Sequence, residues 1–328
     1  MKAIAIRLAE ALVLILAVIV FNFTLVYLAP GDVVDALSGG GLGDASQETN
    51  EKLRAEYGLD RPFLAQLSTY VGNVLRGDFG YSPLGNRPVM EMIAPRIGPT
   101  LLLAFSALAF AVTLGVAIGT AAARRPESWW SGALTVLALV GFAMPVFWTG
   151  ILLILVFGVW LDWLPVSGMN DLRLSSRAGL IERALDTLHH LILPTVSLGV
   201  IFLASYARLA RASMLEVLQS DYVRTARAKG LGEGTVMLKH ALRNAVIPLI
   251  TVLGLEFGVV LSGAILVETV FNWPGLGRLA FEAVLTRDTN VLLAILTLVS
   301  ATVIVANLLT DLVYRWVDPR IRVSGARA

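Results

Sequence analysis

The sequence predicts an all-α, polytopic membrane protein with six transmembrane helices, on three observations. Of 328 residues, 56% are hydrophobic and only 15% charged, and the mean hydropathy is +0.75, which is too apolar for a soluble domain of this length. The apolar residues gather into six runs long enough to cross a bilayer, which takes about 20 residues because each backbone polar group must find its partner within the helix. The charges are also sorted, with basic residues concentrated in the connections that an even number of crossings places on one side. With no Cys in the chain, disulfides, thiolate metal sites and cysteine nucleophiles are excluded. The net charge of +2 carries no nucleic-acid footprint.

The runs extend roughly from Ala11 to Ala29, Pro99 to Ala123, Trp129 to Leu161, Leu191 to Ala207, Asn244 to Val267 and Val291 to Thr310. The first follows a basic flank, Lys2 and Arg7, as a cleaved leader would. Its core is long and no Ala-x-Ala site closes it, so a retained anchor is expected. The third is too long for a straight crossing and contains Pro145, so a tilt, a kink or an interfacial end around Trp160 and Trp163 is expected.

If both termini are cytoplasmic, fifteen of the 26 basic residues but only seven of the 24 acidic ones lie inside. The positive-inside rule therefore places the termini in the cytoplasm. The connection from about Pro30 to Gly98 then faces outward. Phe63, Leu67, Tyr70, Val71, Val74 and Leu75 recur there at helical spacing, predicting short amphipathic helices on the outer surface. The Gly-rich run Ser38 to Gly43 is expected to be a flexible turn, with Ser46 capping a helix through Leu53. Such a loop either covers a pore, receives a soluble partner or packs as a lid with no contacts of its own.

The stretch from Arg208 to Arg243 is basic, helical and too polar to enter lipid. It contains SDYVRTARAKGLGEG from Ser220 to Gly234. Asp221 is placed to cap a short helix from Tyr222 to Lys229, and Gly230 to end it in the left-handed conformation. Tyr222, Thr225, Ala226 and Lys229 are expected on one face, with Arg224, Arg227 and Ala228 on the other. The rod is slim enough to enter a groove. A basic interfacial helix attracted to anionic headgroups would have the same composition.

From this segment through HALRNAVIP, His240 to Pro248, the chain resembles the cytoplasmic coupling loop of ATP-binding cassette importer permeases. That family carries a Glu-Ala-Ala, a Gly and a Leu-Pro at fixed spacing. Gly230 stands in the glycine place and Leu242 in the leucine place, whereas Arg224, Thr225 and Ala226 replace the Glu-Ala-Ala and Arg243 replaces the proline. These departures resemble the dipeptide, oligopeptide and nickel branch. So do APGD at Ala29, YGLDRP at Tyr57, RGDFGYS at Arg76, the Pro-Thr pair at Pro99, WLPVSG at Trp163, LILPT at Leu191, ETVFNWPGLGRL at Glu268 and DPRIR at Asp318.

The resemblance implies an anchor and outer loop over residues 1–96, a permease core over 97–314 with its coupling loop near 220–243, and a tail over 315–328. It also implies partners: a sibling permease, two ATPase subunits and an extracytoplasmic solute-binding protein. The chain has no Gly-x-x-x-x-Gly-Lys-Ser/Thr loop, so ATP and Mg are expected on the ATPase subunits and this chain is expected to hold no cofactor and to be no enzyme. The expected solute is a short peptide, an opine, glutathione or a nickel-type chelate.

Glu256 is the one ionisable group mid-span, where an acid costs roughly 2.5–3.5 kcal/mol on insertion scales. It is either a carboxylate lining the path that contacts a solute's amino group or cation, or a structural partner for Asn307 or Asn22. Gly115 with Gly119, and Gly254 with Gly258, are expected to pack helices closely. His189 and His190 suggest a metal, but no carboxylate is expected near them and no metal site is assigned. Trp129, Trp130, Trp148, Trp160, Trp163, Trp273 and Trp316 mostly flank spans, as expected of interfacial anchors, and are assigned no ligand role; no catalytic constellation is found. An ion-coupled secondary carrier, which needs ion-binding groups in broken helices, and a membrane-embedded hydrolase are the alternatives.

Overall fold

The computed structural model describes residues 2–29, 34, 47–56, 58–171, 173 and 179–317. Ser38 to Gly43, Ser46, Tyr57 and the DPRIR segment lie outside them. Among the described residues, four helices are long and apolar enough to cross a membrane, and a pair bent by 41°, Glu233–Ala245 with Ile247–Gly254, makes up to five. The expected third crossing is a broken run rather than one helix. It comprises α5 (Trp129–Ala143), a break at Met144 and Pro145, then α6 (Val146–Leu153) and a π-helical turn over Ile154–Trp160. Pro145 has extended backbone and caps α6, as a residue without an N–H and with fixed φ does best at a helix start.

The chain forms two compact units. The first contains α1 (Lys2–Leu28), α2 (Gln47–Glu56), α3 (Phe63–Leu75), the two-residue strands β1 (Tyr81–Ser82) and β2 (Arg87–Pro88), and α11 (Leu276–Thr286). The start of α12 (Thr289–Val317) belongs to it too. The strands are antiparallel, with Tyr81 opposite Pro88. They are a small exception to the all-α expectation, made by a turn that Asn86 closes at φ 49°. The predicted amphipathic helix is α3, and its apolar stripe lies against α1, with Phe23 5.8 Å from Phe63 and 5.3 Å from Tyr70 between ring centres. Tyr70 Oη and Thr297 Oγ1 are 3.0 Å apart.

Helix α11, absent from the expected elements, buries Leu276, Leu279, Ala280 and Ala283 against Val291 and Ala294 of α12. Asp288 joins hairpin to helix. It accepts a hydrogen bond from Ser82 Oγ and, through Oδ1, one from Val291 N at 3.2 Å, so it caps α12 while holding β1.

The second unit contains most of α4 (Val89–Arg124), then α5, α6, α7 (Leu180–Leu218), α8 (Asp221–Ala228), the irregular helical segment α9 (Glu233–Ala245) and α10 (Ile247–Val270). At 1.5 Å per residue, the 39 residues of α7 span about 58 Å, nearly twice a hydrocarbon core. The crossing expected from Leu191 to Ala207 is therefore only its middle, and Arg208 and Arg211 ride on its continuation. Gly115 and Gly119 pack α4 onto α7 within the chain: a methyl on Gly115 would lie 2.7 Å from Tyr206 Cβ, and one on Gly119 2.7 Å from Ala210 Cβ. Gly254 meets Thr310 in the same way.

The WLPVSG segment folds back so that Val166 covers Gly158, and Gly168, at φ +82°, donates its N–H to Phe271 O at 2.8 Å. Trp273 is not an interfacial anchor. It is fully buried, and its backbone N–H donates to Glu268 O at 2.8 Å. Trp129, Trp130, Trp148, Trp160 and Trp163 are exposed as expected.

Candidate functional site

Helix α8 is a two-turn rod between α7 and α9. Its boundaries follow from its ends: Ser220, extended at ψ 151°, is the N-cap residue, and Gly230 at φ +78° lies two residues beyond the last helical residue. Asp221 is thus the first helical residue rather than the cap. There an acid complements the helix dipole, and its carboxylate lies 3.4 Å from Arg224. Only Val223 and Ala226 are buried, three residues apart on one face, against Val236 of α9 and Val217 and Leu218 of α7. The expected division of faces is corrected accordingly. Ala226 points inward with Val223, while Tyr222, Arg224, Thr225, Arg227, Ala228 and Lys229 share the exposed surface. Apolar contact with the supporting helices decides the orientation, and sequence spacing within the rod alone did not include them.

Polar contacts also fix α8 on that support. Asn244 Nδ2 donates to Tyr222 Oη at 2.7 Å. Arg227 grips Glu233 with Nη2 2.7 Å from Oε1 and Nε 3.2 Å from Oε2. This two-point hydrogen bond holds the Glu233 carboxyl below its ordinary range and raises the Arg227 guanidinium. Beneath them, Met214, Met237, Ala241 and Ala245 form a small core with Ala123 at the end of α4, and Leu242 packs against it. Pro248 sits in the first turn of α10, where its missing N–H costs nothing. Val223, Glu233 and Asn244 were missed from sequence. Glu233 lies six residues from Arg227 across a glycine turn, beyond any helical pairing rule.

Glu256 on α10 interacts with Tyr206 of α7, the fully buried tyrosine whose Cβ faces Gly115. Among the described residues, Glu256 Oε2 and Tyr206 Oη are buried without a hydrogen bond of good geometry. Tyr206 is a neighbour on another span, which sequence did not suggest. His190, by contrast, does have a carboxylate at hand: Asp186 Oδ1, one turn earlier on α7, is 3.2 Å from Nδ1, and the Asp186 carbonyl is 2.9 Å away. The expectation of no neighbouring carboxylate is corrected. A second buried acid, Glu268, accepts from Thr100 Oγ1 at 2.6 Å, joining the end of α10 to α4.

A profile of the family described as the binding-protein-dependent transport system inner membrane component matches residues 115–323, a stretch holding both α8 and Glu256. This chain belongs to that family. The permease is 38% identical to the dipeptide transport system permease protein DppB of Alkalihalophilus pseudofirmus, over 96% of this chain and 98% of the relative. It is 40% identical to the protein of that name in Escherichia coli K12, over 96% and 97%. It is 43% identical to the glutathione transport system permease protein GsiC of Salmonella choleraesuis, over 94% of each. A chain of the MetNI methionine ABC transporter, solved in inward-facing conformations, superposes with a TM-score of 0.55 over 70% of this permease and 97% of that chain, and at 17% identity it establishes the shared fold. As a transport component of the inner membrane, the permease displaces the secondary-carrier and hydrolase alternatives.

Proposed function

We propose that this permease passes a short peptide or peptide-like solute inward, along a path shared with a sibling permease, driven by two ATPase subunits and fed by an extracytoplasmic binding protein. The observation that carries the proposal is α8: a rod seated on two buried apolar residues, with all other side chains exposed and its rear tied to α7 and α9. A groove on an ATPase subunit receives the surface of Tyr222, Arg224, Thr225, Arg227, Ala228 and Lys229. Because α8 packs on the end of α7 and on α9, which leads into α10, displacing it displaces two spans. Two pump states then differ in their contacts with α8, as a ligand-driven shift requires. ATP and Mg are held by those subunits, α8 and both termini are cytoplasmic as the basic residues favour, and Glu256 lines the path.

A peptide-like solute is favoured because relatives at 38% to 43% identity are named for dipeptide and glutathione transport. The test is ATP hydrolysis by the purified complex in lipid, with binding protein, against a panel of dipeptides, longer peptides, glutathione and nickel chelates. Stimulation by peptides is expected. Stimulation by chelates alone would overturn the solute assignment.

A further inference from the structure

Resting on the transport function proposed above, we infer that the break between α5 and α6 lines the water-filled path, where its free backbone carbonyl and N–H groups meet the peptide-like solute. The depth of the break follows from its neighbours on α7. Arg211 Nη2 donates to Pro126 O at 3.3 Å, and a methyl on Gly141 would lie 3.0 Å from Val200 Cγ1. Ser197 Oγ donates to Val146 O at 3.2 Å, and His189 Nε2 is 3.3 Å from Trp163 O. From Pro126 to Trp163 the chain therefore runs antiparallel to α7 in one pass, and Met144 and Pro145 fall at the level of Ser197 and Val200. Those two residues are at the centre of the apolar stretch Leu191 to Ala207. The break lies in the middle of the bilayer.

Neither half crosses alone. Helix α5 has 15 residues, and α6 with its π-helical turn, Val146–Trp160, is as long, so each reaches at most about 22 Å of a hydrocarbon core about 30 Å thick. At the junction the helical ladder is interrupted. Pro145 has no N–H to give to Gly141 O. Met144 and Pro145 are both extended, so the N–H groups of Val146, Phe147 and Trp148 have no carbonyl one turn behind them in α6. The hydroxyls of Ser197 and Thr149 donate to Val146 O and Pro145 O. They therefore pair neither the carbonyls that end α5 nor the N–H groups that begin α6.

The chemistry of these groups names what they face. Hydrocarbon has no partner for them, and non-helical backbone at membrane depth is stable only inside protein or against water. Ala143 and Pro145 are exposed on the surface of this chain, so its own packing does not cover the break. A helix of the sibling permease, with its backbone bonded internally, brings side chains alone. Water and a peptide bring donors and acceptors together, which is how interrupted spans serve solutes in other transporters. Gly141 and Ala143 are small, so the carbonyls beside them stay approachable.

The chain has no Cys, so Ala143→Cys puts a single thiol on this subunit, with the unmutated complex as background. The whole complex in lipid nanodiscs is treated, with and without ATP, with a charged thiosulfonate or with a lipid-soluble maleimide. The charged reagent is expected to label Ala143→Cys. The dipeptide that most stimulates ATP hydrolysis is expected to slow that labelling about tenfold when present at ten times its half-saturating concentration. Labelling by the maleimide alone would put the break in lipid, and labelling by neither reagent would put it beneath another subunit; either result overturns the proposal. Charged labelling that the dipeptide leaves unchanged would overturn contact with the solute. Normal stimulation of hydrolysis beside an unlabelled thiol defeats the assignment of the break alone, whereas no stimulation by any peptide sinks the transport reading and the proposal with it.

Discussion

Arg227 and Glu233 close the turn after α8 with two parallel hydrogen bonds, 2.7 Å and 3.2 Å long. Both side chains are about half exposed, so the pair adds at most about 1 kcal/mol to stability. Its effect is geometric: it fixes how α8 meets α9. Glu233→Ala is expected to lower uptake while changing the unfolding temperature little, and the exchange Arg227→Glu with Glu233→Arg is expected to restore part of the loss. The pH dependence has a definite sign. Because the folded value of Glu233 lies below its ordinary 4.5, the pair stabilises the folded loop above that value and is lost as pH falls through the depressed one. Uptake measured from about pH 6 to 8 is therefore expected to show no titration from this pair.

Thr100 and Glu268 give a structural prediction. Both are buried, and the Thr100 hydroxyl is a donor to a carboxylate with no access to water. Thr100→Val is expected to cost about 1–3 kcal/mol and Thr100→Ser much less, read as thermal unfolding of the complex in detergent. Equal melting of the two variants would remove the hydrogen bond from the account.

How much of this was legible in sequence depended on the range of the interaction. The bilayer imposes a length and polarity on each span, so the long helices were visible in composition alone. The left-handed Gly230 was visible because few other residues accept φ +78°. Helix α11 was not, because ETVFNWPGLGRL mixes turn residues with an apolar stripe that becomes a helix only against Val291 and Ala294. Trp273 was misplaced because tryptophans near span ends usually face the interface, whereas a tight turn at Asn272, φ 53°, folds this one inward. The inward face of α8 and the Glu256 neighbour Tyr206 both rest on contacts between segments far apart in the chain, which periodicity does not encode.

Glu256 supplies the prediction about the path. A carboxylate that contacts the solute's amino group makes a charge-assisted hydrogen bond, so Glu256→Gln is expected to raise the half-saturating solute concentration about tenfold, with the complex assembled in normal amounts. Tyr206→Phe is expected to have a smaller effect. Unchanged uptake and an unchanged order of solute preference in Glu256→Gln would take the residue off the path.

The most direct measurement is of uptake and ATP hydrolysis together, in the reconstituted complex, for Gly230→Pro and Gly230→Asn. Proline removes the N–H that donates to Arg227 O at 2.9 Å and cannot adopt φ +78°. Asparagine tolerates the conformation, and no neighbouring atom lies within 4 Å of the added Cβ. The account predicts that the proline variant inserts and assembles, loses uptake and no longer links hydrolysis to solute, while the asparagine variant stays close to the unmutated complex. Full uptake by the proline variant, or solute movement by this chain without ATPase subunits, would contradict it.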